Sequence, residues 1–256
     1  HIRLTIHLIG SDGDSRFSSR YNKWASDERP TLFQNLVYAS ADVSLVEGSL
    51  PKLASSLEAA IVAKLSTQPF RMVSSYASRK GSSIYYSRKV GYFLQALDFE
   101  PKVLDGRGKR RPPSEFKELV FESDAIASIA LACLNSTLFY WFVTVHSDCR
   151  HVNKREIDAF PVDLHSVETS GSAGSQLANI TAKLMKQLEA NSELRKMKFQ
   201  HDTLTVQCIF PKASKSTIDR IDEILGHHYR FTEEELDLVI NYDIKYRMGK
   251  DSGEEA

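Results

Sequence analysis

The side chains best placed to do chemistry in this sequence are cations. Between Arg79 and Lys117 stand ten basic residues: Arg79, Lys80, Arg88, Lys89, Lys102, Arg107, Lys109, Arg110, Arg111 and Lys117. Only Asp98, Glu100, Asp105 and Glu115 oppose them, and Tyr85, Tyr86 and Tyr92 are interleaved. Arg and Lys neutralise phosphates, and a few such side chains on turns can reach base edges. The bland alternative is a solvated charged face. Gly106-Arg107-Gly108-Lys109-Arg110-Arg111 tilts the balance toward binding, because glycines let a cationic loop mould to a groove. A second stretch, His146 to Arg155, adds Arg150, Asn153, Lys154 and Arg155. Asn153 either reads adenine or caps a helix starting at Lys154, with Glu156 three residues on completing a capping box.

Other chemistry is poorly served. His146, Cys149 and His151 fall within six residues, but H-x2-C-x-H is not a standard zinc spacing and lacks a fourth ligand. His227 and His228 are adjacent, so on a helix they point about 100° apart. There is no GxSxG elbow, no phosphate-binding P-loop and no glycine-rich dinucleotide turn. No catalytic, metal or cofactor-binding residue is assigned. The 33 basic and 33 acidic residues cancel, so any nucleic-acid argument is local: the last 38 residues carry eleven acids against five bases.

The elements that must position these side chains read as α+β, a β-rich recognition domain with a long helix and a helical C-terminal region. Residues 2–9 alternate as a strand and 10–15 form a loop. Two short helical pieces over 16–38 lead to a strand near Leu36–Ala39, and Ser55–Leu65 is an amphipathic helix. Ile84–Tyr86 and Val90–Leu94 are strand-like, while the Gly/Pro-rich Leu104–Pro113 cannot be regular structure and reads as a turn or open loop. Helix is expected over Asp124–Val145 and Lys154–Ala159, a linker over Ser166–Ser175, and one long helix over Gln176–Lys198. A strand at 203–210 and helices at 216–227 and 232–246 close the chain, with Thr232 and Glu235 as a capping box. The longest apolar run, Ala125–Val145, is interrupted by polar residues and reads as a buried helix rather than a membrane span. No signal peptide is evident, and three scattered cysteines suit a reducing cytoplasm. Opening on a strand implies that the chain begins inside a larger protein.

Three stretches resemble one family. Arg3–Ile6, Arg16–Trp24 and Glu28–Phe33 resemble the end of the catalytic domain of large adenine-specific DNA methyltransferases, such as type IIG restriction enzymes. Leu134-Asn135-Ser136-Thr137-Leu138-Phe139-Tyr140-Trp141, Asn153-Lys154-Arg155-Glu156-Ile157 and Phe160-Pro161-Val162 are similar to the target-recognition domain of TaqI-like methyltransferases and type I specificity subunits. Ile218–Asp222, His228–Leu236 and Asn241–Met248 look like the C-terminal end of the same enzymes. The NPPY-type motif and the S-adenosylmethionine loop of that family are missing from this sequence.

The resemblance implies a catalytic-domain remnant over 1–45, a DNA target-recognition domain over 46–165, a linker and spacer helix over 166–202, and a C-terminal strand and helices over 203–256. It implies sequence-specific duplex DNA recognition for an adenine-N6 methyltransferase of a restriction–modification or phage-defence system. S-adenosylmethionine would bind the parent enzyme, whose missing N-terminal methyltransferase domain would be a partner. A base that is to be methylated must leave the stack, so a separate module has to hold the duplex in register. The candidate DNA-contacting set is Arg79, Lys80, Tyr85, Tyr86, Arg88, Lys89, Arg107, Lys109, Arg110, Arg111, Arg150, Asn153, Lys154 and Arg155. The alternative is an interaction module whose acidic C-terminal helices dock a nuclease or another subunit.

Overall fold

The computed structural model of the chain describes residues 15–22, 26–75, 80–199 and 202–249. Strands β1 (Phe17–Ser19) and β2 (Tyr38–Ser40) flank a 3-10 segment, Ser26–Asn35. Helix α1 (Ser56–Ser66) leads through a 3-10 turn to β3 (Ser82–Ser87), β4 (Ala96–Leu97), β5 (Val103–Leu104), β6 (Arg110–Arg111) and β7 (Phe116–Phe121). Helices α2 (Asp124–Asn135), α3 (Thr137–His146), α4 (Lys154–Ala159), α5 (Leu164–Thr169) and α6 (Ser172–Ala190) follow. Strands β8 (Glu193–Lys198) and β9 (Thr203–Cys208) precede α7 (Lys215–His228), α8 (Glu233–Ile240) and α9 (Ile244–Arg247). The fold is α+β, and every strand pair is antiparallel.

The apolar run at the middle of the sequence makes the centre. All ten residues of α3 are buried, and so are nine of the twelve in α2. Ser136 divides them by serving both: its hydroxyl donates to Cys133 O at 2.6 Å and accepts from Phe139 N at 3.0 Å. The helices therefore bend by 63° where one continuous helix is expected. No single described helix is long and apolar enough to cross a membrane. Phe160 sits edge-on to Phe139 and Phe142, a geometry that adds about 0.5–1.5 kcal/mol per pair beyond burial. The sheet β4-β3-β7 lies against α2, which α6 and α7 also cover. One cluster of buried side chains runs from Ala39 to Tyr242, across the boundaries drawn at 165/166 and 202/203.

Several expected elements differ. The segment 166–175, expected as a linker, is helical except around Gly171, whose φ of 70° turns α5 into α6. Val167 and Gly174 are buried there: small residues fit a tight helix junction as well as they fit a flexible linker. Helix α6 stops at Ala190, and Glu193–Lys198, expected in the same helix, is a strand. Val90–Leu94 is loop rather than strand, because its backbone is stitched to residues 150–152 instead of a sheet. Leu104–Pro113 contains the expected turn, over 105–109, but it is not an open loop: Arg110–Arg111 pair back onto Val103–Leu104 as a tight hairpin. Over 16–38, strand β1 replaces the first helical piece. The strand expected at 2–9, the GSDGDS loop up to Asp14, and the polar tail from Lys250 lie outside the described residues. Ser55–Leu65, Lys154–Ala159 and the strand from 203 match their elements to within a residue or two.

Candidate nucleic-acid interface

Two separate loops are zipped together to make the first cationic surface. Val152 N donates to Arg88 O at 2.8 Å, Val90 N donates to Arg150 O at 3.2 Å, and Lys89 and His151 form an antiparallel bridge. Arg88 N is fixed in turn by Glu115 O at 2.8 Å. This puts Arg88, Lys89 and Arg150 on one short two-stranded bridge although about 60 residues separate them in sequence: Lys89 stands opposite His151, and the register sets Arg88 and Arg150 on the other face. Lys89 and Arg150 are exposed and Arg88 is half-buried; none of the three has an ion-pair partner among the described residues. Asp148, the nearest acid in sequence, accepts from the backbone N–H groups of Arg150 and His151 at 2.8 and 3.2 Å and so shapes the turn.

Helix α4 continues this surface but is electrostatically balanced. Lys154 pairs with Asp158 at 2.9 Å and Arg155 with the buried Glu156 at 3.0 Å. Glu156 also accepts from Asn153 N at 2.9 Å, the carboxylate half of the expected capping box.

The second surface is the β5–β6 hairpin. Asp105 builds its turn: its carboxylate accepts from Arg107 N and Lys109 N, each at 2.9 Å, and Gly108 supplies a φ of 77°. The Lys109 backbone bond, with Arg107's and the cations Arg111 and Lys109 nearby, holds the Asp105 carboxyl below the usual range. Arg110 is paired with Glu100 at 2.9 Å, and Arg111 with Asp202 at 3.0 Å and Asp105 at 3.6 Å. Arg107 and Lys109 project from the turn without a side-chain partner among the described residues.

Of the other expected contacts, Lys80 is exposed at the start of β3, and Arg79 lies outside the described residues. Tyr85 and Tyr86 do not act together. The strand's two-residue period turns Tyr86, 7% exposed, into the core beside Ile84, and leaves Tyr85 half-exposed opposite Glu118. Tyr86 is therefore withdrawn from the candidate interface. Sequence reasoning missed Arg195, Lys196 and Lys198, which it placed on a helix. The Asn191-Ser192 stop, and a β-compatible run only four residues beyond Lys198, are the signals that favour a hairpin there.

The His/Cys stretch is not assembled as a site. His146 is 2% exposed with its ring against Phe142, and burial beside Lys52 depresses its pKa to about 3. The Cys149 thiol donates to Thr144 O at 3.3 Å, and His151 sits in the loop bridge. Among the described residues no three His, Cys, Asp or Glu side chains are grouped to hold a metal. In the open cleft lined by Lys64, Gln68, His228 and Arg230, the Lys64 ammonium is already bound to Glu235 at 2.5 Å and Arg230 O at 2.8 Å.

The stretches that carry the resemblance are mostly structural. Asn135 clamps β4, accepting from Ala96 N at 3.1 Å and donating to Ala96 O at 2.8 Å. Tyr229 donates to Pro161 O at 2.8 Å and anchors the Phe-Pro-Val segment. Near the C-terminal end, Arg247 donates to Tyr92 O at 2.9 Å and Thr137 Oγ1 at 3.1 Å, while Asp243 accepts from Tyr140 at 2.9 Å. These residues latch the last helices onto α3. In comparisons with known proteins, no protein-family model, no curated protein and no solved structure matches the chain.

Proposed function

We propose that the chain recognises duplex DNA on behalf of an adenine-N6 DNA methyltransferase of a restriction–modification or phage-defence system, and contributes no catalytic group or S-adenosylmethionine site of its own. The observation that supports the DNA reading is the loop zipper, whose backbone hydrogen bonds hold Arg88, Lys89 and Arg150 on one short bridge at the surface, with no carboxylate paired to any of them among the described residues. Like charges are gathered at a cost in repulsion, and an anion is what relieves it. Asn153 and the balanced pairs of α4 lie next to this surface, where polar groups can read bases while the cations hold phosphates. The methyltransferase, and adenine as its target, rest on the sequence resemblance.

The test is a salt titration of duplex binding. Replacing Arg88, Lys89 and Arg150 by Ala should flatten the slope of log K against log salt by about 2.7, at roughly 0.9 per released phosphate contact. A slope identical to that of the unmodified chain refutes the reading.

A second reading, a protein-interaction module, is favoured by one feature. Phe17, Phe33, Val37 and Tyr38 are all more than half exposed at the N-terminal side of the fold. Exposed apolar residues gathered in one segment suit a protein partner, such as a methyltransferase domain or a nuclease subunit.

A further inference from the structure

We infer that the β8–β9 hairpin forms, with the Arg107–Lys109 turn, a single phosphate-binding edge on duplex DNA; this rests on the DNA reading above and adds Lys196 and Lys198 to it. The sheet order is β6-β5-β9-β8. Register fixes which side chains share a face. Lys196 is opposite Thr205, Thr205 opposite Leu104, and Leu104 opposite Arg110, so these four line one face in a row; Lys198 and Thr203 lie two residues further on the same face. The other face carries Arg195, Val206, Val103 and Arg111.

The two faces differ in how their charges are used. On the second, Arg195 pairs with Glu193 at 2.9 Å and stacks over Phe210, and Arg111 pairs with Asp202 and Asp105. These cations are already neutralised, and Arg111 ties the β5–β6 hairpin to the start of β9. On the first, Arg110 is paired with Glu100 at 2.9 Å, but Lys196 and Lys198 are exposed and unpaired among the described residues, with Thr203 and Thr205 beside them. Chain direction then brings the two turns to the same end. β5 runs into the Asp105–Lys109 turn, and β9 leaves its own turn at Asp202; Arg111 reaches Asp202 at 3.0 Å, and Gly106 lies against Thr203 O. Arg107, Lys109, Lys196 and Lys198 thus gather toward one end of the sheet, from segments roughly 90 residues apart.

The occupant follows from charge and dimensions. Four strands at about 4.8 Å spacing span ~14 Å, close to the ~12 Å width of the major groove, so Arg107 and Lys109 on one side and Lys196 and Lys198 on the other can meet phosphates across it. A second copy adding a strand to the free edge of β8 is disfavoured, because Arg195, Lys196 and Lys198 would face a like-charged strand.

The experiment uses the whole chain and a 30-base-pair duplex. Lys196→Ala/Lys198→Ala should flatten the salt slope by about 1.8, and Lys196→Arg/Lys198→Arg should restore it. Independently of any variant, acetylation of Lys196 and Lys198 in the native chain should be slowed several-fold by duplex. An unchanged slope with unprotected lysines overturns this inference; if the Arg88/Lys89/Arg150 variant still shifts the slope, the DNA reading survives. If neither variant shifts it, both fall. Self-association without DNA that the Lys→Ala pair abolishes would assign the edge to a second copy and also overturn it.

Discussion

Replacing Asn135 by Ala should destabilise the protein severely without touching the cationic surfaces. The Asn135 side chain is buried and makes three hydrogen bonds: from Ala96 N at 3.1 Å, to Ala96 O at 2.8 Å and to Leu131 O at 2.9 Å. A net hydrogen bond is worth about 1 kcal/mol, and each buried backbone group left unpaired costs roughly 1–3 kcal/mol. Ala96 is a non-hydrogen-bonded partner of Tyr86, so its N–H and C=O face Asn135 and are left unpaired, whereas the Leu131 carbonyl lies within a helix and is partly relieved. The balance is about 3–5 kcal/mol. At about 2–4 °C per kcal/mol for a protein of this size, Tm should fall by roughly 6–20 °C. Urea unfolding monitored by tryptophan fluorescence, with the m-value held as a check on compactness, measures the change directly. Asn135→Asp should do no better, since it keeps the acceptor but loses both donors and buries a charge. A loss below about 1 kcal/mol for Asn135→Ala, at unchanged m, would refute the clamp. Weakened DNA binding by a variant that is fully folded under the assay conditions would move Asn135 from the core to the interface.

Other expectations are equally specific. Glu156→Ala removes a carboxylate that is 0% exposed and caps Asn153 N; it should cost about 1–2 kcal/mol by urea melts and release Arg155. Gly81 has φ 155°, and a Cβ there would lie 1.9 Å from Phe121 O, so Gly81→Ala should cost at least about 1–3 kcal/mol and expose the β3–β7 edge to hydrogen exchange. His146 and Asp222 impose opposite pH trends. The folded pKa of His146 lies near 3, below its unfolded value, so its contribution is present above about pH 6.5 and is lost as pH falls. Burial raises the Asp222 pKa to about 6, so its contribution is full below about pH 4 and is lost as pH rises to 6. Urea midpoints between pH 4 and 6 should therefore gain a positive slope against pH in Asp222→Asn and lose one in His146→Phe; no change in either variant would contradict the assignment.

What the sequence determined by itself was local. Apolar periodicity and cap residues located α1, α4, α7 and the buried pair α2–α3, and the Thr232–Glu235 capping box forms as read, with Thr232 N donating to Glu235 at 2.7 Å. These signals are legible because a cap or an amphipathic stripe is satisfied within one or two turns of chain. Helix and strand were misjudged where tertiary contacts outweighed local composition. Glu193–Lys198 suits a helix by propensity, but it pairs along its whole length with Thr203–Cys208, and that cross-strand pairing outweighs the propensity of its own residues. The Gly/Ser-rich 166–175 reads as a linker until Val167 and Gly174 are seen packed at a helix junction. The candidate interface divides the same way. Its basic composition was visible in the sequence, but composition does not show which cations are already neutralised. Only the tertiary structure assigned Arg110 to Glu100, Arg111 to Asp202 and Tyr86 to the core, set Arg88, Lys89 and Arg150 on one bridge with no ion-pair partner among the described residues, and joined β8 through β9 to the β5–β6 hairpin. Ion pairing and strand register depend on residues some 10 to 100 positions apart, and the fold alone sets those distances.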